Sequence, residues 1–126
     1  KDLKILDNLF VFFPESNSEI LTFRQYLDTD KLTLGKFNIL EPSSYNKKVL
    51  PQLIFVPCLG FDINGYRIGY GGGYYDKTFA NLKKNNIQFY TVGFAFNEQL
   101  IQEVPTDKFD YKLDYVLTEK QLYCFL

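Results

Sequence analysis

Leu53-Ile54-Phe55-Val56, bounded by Pro51 and Pro57, leads into Gly65-Tyr66-Arg67-Ile68-Gly69-Tyr70-Gly71-Gly72-Gly73-Tyr74-Tyr75-Asp76. The first piece is a short β-branched and aromatic run with no polar alternation. That is the pattern of a strand covered on both faces, as in a parallel sheet flanked by helices. From Tyr74 to Asn85, apolar residues at 75, 79 and 82 with Lys77, Lys83 and Lys84 outside them predict an amphipathic helix. Its lysines lie toward the C-terminal end, where the helix dipole favours them. A strand, a glycine loop and a helix in that order put the loop at the carboxyl end of a strand, where α/β sheets bind ligands.

Upstream, Leu9-Phe10-Val11-Phe12-Phe13 reads as a buried strand stopped by Pro14, and a second extended piece runs through Ile20 to Phe23. From Gln25 to Lys48 mostly loop is expected, with a short extended piece at Phe37-Asn38-Ile39-Leu40. Downstream, Gln88 to Phe96 is the next strand. Asn97 then supplies an N-cap for a short helix through Val104, ended by Pro105, and Tyr115-Val116-Leu117 is the last strand. This βαβαβ order favours a doubly wound α/β fold, expected as one domain over residues 1–126.

Five of the eight glycines fall at 65, 69, 71, 72 and 73. A tight turn alone explains two of them. Three in succession cost roughly 1 kcal/mol each in ordering relative to alanine, which favours a ligand that needs exposed backbone. Backbone N–H groups in such a loop, with the N-terminal end of the following helix, suit a phosphate. No Gly-Lys-Ser/Thr follows, so the loop is not a Walker A sequence, and Tyr74 stands where a dinucleotide fingerprint would need its third glycine. Arg67 can make charge-assisted bonds to phosphate or a surface ion pair. Tyr70, Tyr74 and Tyr75 can face a heteroaromatic ring or pack in the core. Asp76, Asp114 and Asp62 are each candidates for Mg²⁺ or for turn and cap duties, and spacing does not choose among them.

Composition narrows the chemistry further. The 126 residues contain no His, which excludes a Ser-His-Asp or Cys-His nucleophile pair, a His-ligated zinc and an imidazole base within this sequence. Fourteen basic against fifteen acidic residues give a net charge of −1, so no polycationic surface is expected to hold nucleic acid. No apolar run of about 18 residues predicts a membrane span, and no signal-peptide pattern stands at the start. Cys58 and Cys124 form no CxxC pair and are expected as buried free thiols, in a soluble cytoplasmic protein. The absence of Met, even at position 1, predicts that an N-terminal part is missing.

Residues 53–62 and 65–76, then Val92-Gly93-Phe94-Ala95-Phe96-Asn97-Glu98-Gln99 and Asp114-Tyr115-Val116-Leu117-Thr118-Glu119, resemble the 5-formyltetrahydrofolate cyclo-ligase family, also called methenyltetrahydrofolate synthetases. The resemblance runs from about Phe10 onward. It implies a three-layer α/β/α fold with a mostly parallel sheet, related to sugar-phosphate isomerase and coenzyme A transferase domains. It implies an ATP- and Mg²⁺-dependent conversion of 5-formyltetrahydrofolate to 5,10-methenyltetrahydrofolate with release of ADP and phosphate; a monomer is expected.

In site residues, the resemblance implies nucleotide contacts from Arg67, Ile68, Gly69, Tyr70, Gly71, Gly72, Gly73, Tyr74 and Tyr75. Folate contacts fall on Tyr70 to Tyr74, catalytic roles on Arg67 and Tyr74, and magnesium on Asp76 and Asp114. The family's Lys and Arg pair near the N-terminus and its folate-contacting acid have no counterpart here, since the sequence is expected to match the last two-thirds of a member. Cys58 replaces the usual glycine, and Phe109 stands where His is common. The other reading is a nucleotide- or folate-binding module of the same fold without catalysis.

Overall fold

The computed structural model describes residues 10–14, 19–26, 30–35 and 40–126, the first of these segments by its backbone. The chain divides into two compact units, Lys1–Pro51 and Gln52–Leu126.

In the first unit, β1 (Phe10–Pro14) pairs antiparallel with β2 (Leu21–Gln25), with Phe12 opposite Phe23. Leu21 and Phe23 are buried. The far edge of β2 is satisfied by the segment after Tyr45. Gln25 N–H donates to the Lys47 carbonyl, Val49 N–H to the Phe23 carbonyl, and Arg24 Nη1 to the Asn46 carbonyl. A second antiparallel pair, β3 (Leu32–Leu34) with β4 (Leu40–Pro42), occupies the stretch expected to be mostly loop. Of the extended piece expected at Phe37–Leu40, only Leu40 lies among the described residues.

The second unit holds the expected strand, loop and helix. Its sheet has the order β10-β9-β8-β5. β5 (Leu53–Pro57), β8 (Tyr90–Phe94) and β9 (Tyr115–Leu117) run parallel, and β10 (Leu122–Cys124) returns antiparallel beside β9. So β9 is not the last strand. The chain between β5 and the helix forms a small hairpin that the glycine content hides, β6 (Gly60–Phe61) with β7 (Arg67–Ile68).

Helix α1 (Tyr74–Lys84) buries Thr78, Phe79 and Leu82, one face of its cylinder. It ends at Asn85 and Asn86. Asn86 takes the left-handed conformation at φ 59°, and the following Ile87 N–H reaches back to the Leu82 carbonyl, which closes the last turn.

Register places Ile54, Val56, Thr91, Gly93 and Val116 on one sheet face, and all are buried. Phe79 joins this core through Phe89 and Tyr111, with ring centroids 5.7 and 5.1 Å away. The other face carries Leu53, Phe55, Tyr90, Phe94, Leu117 and Leu122, all exposed. Full cover of β5 is therefore not observed: Leu53 is 50% and Phe55 42% exposed. The run is apolar on both sides, but the described residues contain one α-helix, and a second helical layer is not present among them. What stands is a mixed α/β architecture with a mostly parallel central sheet.

The helix expected over Asn97–Val104 is a single tight turn, Asn97–Gln99. Tertiary hydrogen bonds win over local propensity here. Asn97 Oδ1 accepts from Tyr123 Oη at 2.6 Å and from Thr118 Oγ1, so it does not cap a helix. Beyond the turn the backbone is drawn against the hairpin, with Ile101 N–H donating to the Phe61 carbonyl and Val104 N–H to Asp62 Oδ2. Cys58 is a buried free thiol as expected, whereas Cys124, in the last strand, is exposed. No helix among the described residues is long and apolar enough to cross a membrane.

Candidate functional site

The hairpin β6–β7 aims the chain from the end of β5 toward the start of α1. Its turn is built on Asp62, which is 1% exposed. Asp62 Oδ1 accepts from the N–H groups of Asn64 and Tyr66 at 2.9 and 3.1 Å, and Oδ2 accepts from Val104 N–H at 2.9 Å. Both oxygens are thus engaged with backbone, and Asp62 is a turn and loop clamp. Gly65, at φ 92°, completes the turn where a Cβ would stand 2.8 Å from the Phe125 ring.

After β7 the loop opens. Gly71, Gly72 and Gly73 take φ values of 105°, 28° and 68°, a left-handed run closed to ordinary side chains. Gly73 is the N-cap of α1 and has no side-chain cap. Its N–H donates to the Gly71 carbonyl. Among the described residues the N–H groups of Gly71 and Gly72 meet no acceptor, and both residues are exposed. A Cβ on Gly71 would meet nothing within 4 Å, so that position faces open space. The Tyr74 ring lies against Gly72, and Tyr70 projects into solvent, 74% exposed. Ile68 is also exposed at the start of this loop.

Arg67 lies half-buried beneath the loop. Nη1 donates to the Pro57 carbonyl at 3.3 Å, and the guanidinium stands 5.2 Å from the Tyr75 ring centroid. Its Nε is buried with no hydrogen-bond partner. Arg67 is therefore an inward cation whose contacts are a carbonyl and a ring, not a surface ion pair. Gly69 gives it passage, since a Cβ there would sit 2.6 Å from Nη1. The same charge reaches Cys58, Tyr75 and Asp76. Burial pushes the Cys58 thiol up to about 11 and the Tyr75 hydroxyl up to about 12, and Arg67 opposes both rises.

Asp76, in the first turn of α1, has its carboxyl raised above the usual carboxylate range, chiefly by desolvation. Arg67 and a 3.3 Å hydrogen bond from Tyr111 N–H hold it down, while Asp110 and Asp107 push it up. The acids in its field thus come from the 107–110 turn, which the sequence reading did not single out. In that turn Asp110 Oδ2 accepts from Asp107 N–H and Asp107 Oδ1 from Phe109 N–H. The Thr106-Asp107-Lys108-Phe109-Asp110 composition, with an Asp at each end of a turn, was the available signal.

Asp114 is placed elsewhere. It precedes β9 at the amino ends of the parallel strands, where Oδ2 accepts from Thr91 N–H at 2.9 Å and Asp114 N–H donates to Thr91 Oγ1 at 2.9 Å. Lys83, in the last turn of α1, feels its charge, whereas Asp76 is in the first turn. Asp114 is not among the charges that act on Asp76. Among the described residues no three His, Cys, Asp or Glu side chains are grouped to hold a metal ion by themselves. Mg²⁺ does not require such a cage, because it is commonly held by one or two carboxylates together with substrate phosphates and water. A desolvated carboxyl, crowded by two like charges beside the glycine loop, fits that mode.

Comparison with known proteins gives a consistent result. A 5-formyltetrahydrofolate cyclo-ligase from Haemophilus influenzae is 36% identical, over 77% of this chain and 53% of its own length. A 5-formyltetrahydrofolate cyclo-ligase from Escherichia coli is 32% identical, over 90% of this chain and 63% of its own length. In both cases the chain spans less than two-thirds of the relative. Among solved structures, the 5,10-methenyltetrahydrofolate synthetase of Aquifex aeolicus superposes with a TM-score of 0.73 at 28% identity, covering 97% of this chain and 61% of that one. The synthetase of Mycoplasma pneumoniae shares the fold with a TM-score of 0.60 at 23% identity, over 90% and 58% of the two chains. The family model of the 5-formyltetrahydrofolate cyclo-ligases matches residues 5–119, a span that takes in the glycine loop, α1 and the 107–110 turn, and the chain belongs to that family.

Proposed function

We propose that this chain carries the nucleotide-holding part of an enzyme that converts 5-formyltetrahydrofolate to 5,10-methenyltetrahydrofolate while ATP becomes ADP and phosphate. The observation that supports this most is the Gly71–Gly73 run, left-handed throughout, exposed at Gly71 and Gly72 with their N–H groups unengaged among the described residues, beside an inward arginine. A formamide is a poor electrophile. Attack of the formyl oxygen on the γ-phosphorus releases ADP and makes that oxygen a leaving group; N10 then adds to the formyl carbon, loses its proton, and phosphate departs.

Such a reaction calls for positioning and charge neutralisation more than for a side-chain nucleophile, which a sequence without His can supply. In this reading the N–H groups of Gly71 and Gly72 and the start of α1 receive phosphate oxygens, and Arg67 adds the full positive charge. Tyr74, over Gly72, and the outward Tyr70 offer ring faces to the folate. Asp76 would hold the magnesium ion, with Asp110 as the nearby second carboxylate, while Asp114 serves the β8–β9 junction. When bound, the ion neutralises phosphate charge and fixes the γ-phosphoryl group.

The test is methenyl-folate absorbance from 5-formyltetrahydrofolate, ATP and Mg²⁺, with this chain and with the polypeptide at the relatives' full length. Product from the full-length form, lost about a hundredfold or more in Asp76→Asn and little changed in Asp114→Asn, is expected. ATP binding without product would leave a binding module, and no ATP binding would overturn the reading.

A further inference from the structure

We propose that Tyr75 is the positioning residue of Arg67: its ring holds the guanidinium so that the arginine, and not the tyrosine, meets the nucleotide phosphates. The inference rests on the reading of the loop as an ATP site and assigns different duties to two residues that the resemblance groups together.

Arg67 is restrained weakly by hydrogen bonds. Its one hydrogen bond among the described residues, Nη1 to the Pro57 carbonyl, is 3.3 Å long, and its Nε has none. A guanidinium with a long flexible stem would explore many rotamers on those terms. The Tyr75 ring, 5.2 Å from the guanidinium carbon, supplies the second wall, and a cation over a ring face is attracted to it. Gly69 leaves the space through which the side chain reaches this position.

Tyr75 is itself anchored. It is half-buried on α1, and its ring lies 6.1 Å from that of Phe79, which is fully buried in the core. The core thus fixes Phe79, Phe79 abuts Tyr75, and Tyr75 backs Arg67. Tyr74, one residue earlier, points about 100° away around the helix, and its ring lies against the exposed Gly72. The ring that can touch a ligand is therefore Tyr74's, while Tyr75's face is already occupied by the cation.

Two measurements on this chain test the assignment. In spectra of protein labelled with nitrogen-15 arginine, the Arg67 Nε–H resonance, identified by its loss in Arg67→Lys, should be ring-shifted and slow to exchange with water. Tyr75→Leu should return it to the solvent-exposed position, and Tyr75→Phe should keep it. An unchanged resonance in Tyr75→Leu overturns the proposal.

The second measurement is the dissociation constant for ATP. Tyr75→Leu should weaken binding roughly tenfold, the size expected for a partly desolvated cation–ring contact, and Tyr75→Phe should recover it. In an Arg67→Met background, Tyr75→Leu should then weaken binding no further. Losses that simply add would put Tyr75 on the nucleotide and overturn the proposal. Failure of the wild-type chain to bind ATP would remove the ATP reading, and the Nε–H comparison would still decide whether Tyr75 holds Arg67.

Discussion

Asp62, Asp76 and Asp114 have the same side chain and three different surroundings. Asp62 is enclosed, and its two oxygens accept three backbone N–H groups from Asn64, Tyr66 and Val104. Removing the carboxylate takes the acceptor from all three donors, the Val104 N–H in a buried position and the other two partly buried. Asp62→Ala is accordingly expected to lower stability by about 3 kcal/mol or more, measured by urea unfolding, and a loss below about 1 kcal/mol would contradict the clamp. Sequence spacing could not separate these acids, because each stands at a turn or an element boundary, where caps and ligands use the same residue type. Asp76 was legible as a first-turn carboxylate beside the glycines. The acids near it were not, since they come from a turn more than thirty residues away that only the tertiary fold brings close.

At the scale of elements, β5, the glycine loop, α1, β8 and β9 were legible because each is written in local pattern. The elements that were missed or shortened depend on distant partners. The tight turn Asn97–Gln99 stays short because Tyr123 and Thr118 engage Asn97 and because Phe61 and Asp62 take the N–H groups that follow. Similarly, the apolar character of β5 says what the strand can bury, while cover requires another element to lie against it.

The glycine loop itself has two ends with separate duties. At Gly65 a Cβ would press on the Phe125 ring at 2.8 Å and the Leu113 carbonyl at 3.1 Å, at a φ of 92°. Gly71 has only its φ of 105° to resist a side chain. Gly65→Ala should therefore cost about 3 kcal/mol of stability, from strain and overpacking together, and Gly71→Ala about 1 to 2 kcal/mol. ATP affinity should show the reverse order, falling mainly in Gly71→Ala. Calorimetric unfolding and nucleotide titration of the two variants check this, and equal stability losses would be inconsistent with it.

Across the described residues of the molecule the groups whose proton affinity changes on folding shift in one direction. Cys58, Tyr75, Asp76 and Lys83 all have their proton affinity raised on folding, the first three chiefly by desolvation and Lys83 by its contact with Tyr111. Wherever the native state holds more protons than the unfolded chain, stability falls as pH rises. For Cys58, raised from 9.0 to about 11, and Tyr75, raised from 10.0 to about 12, the fall begins near pH 9 and is complete only above about pH 12. Each rise corresponds to something on the order of 3 kcal/mol. Arg67 faces both groups and moderates the loss, because it favours the thiolate and the phenolate. Cys58→Ala removes one contribution, and it also leaves a small void beside Gly93, where the sulfur would stand 2.7 Å from a Cβ. The variant should be less stable than the parent at pH 7.5, and the difference should shrink between pH 9 and 11 as the parent alone loses stability from its buried thiol. Urea midpoints across that range measure the effect, and parallel curves for the two proteins would show that Cys58 does not titrate on unfolding as its burial requires.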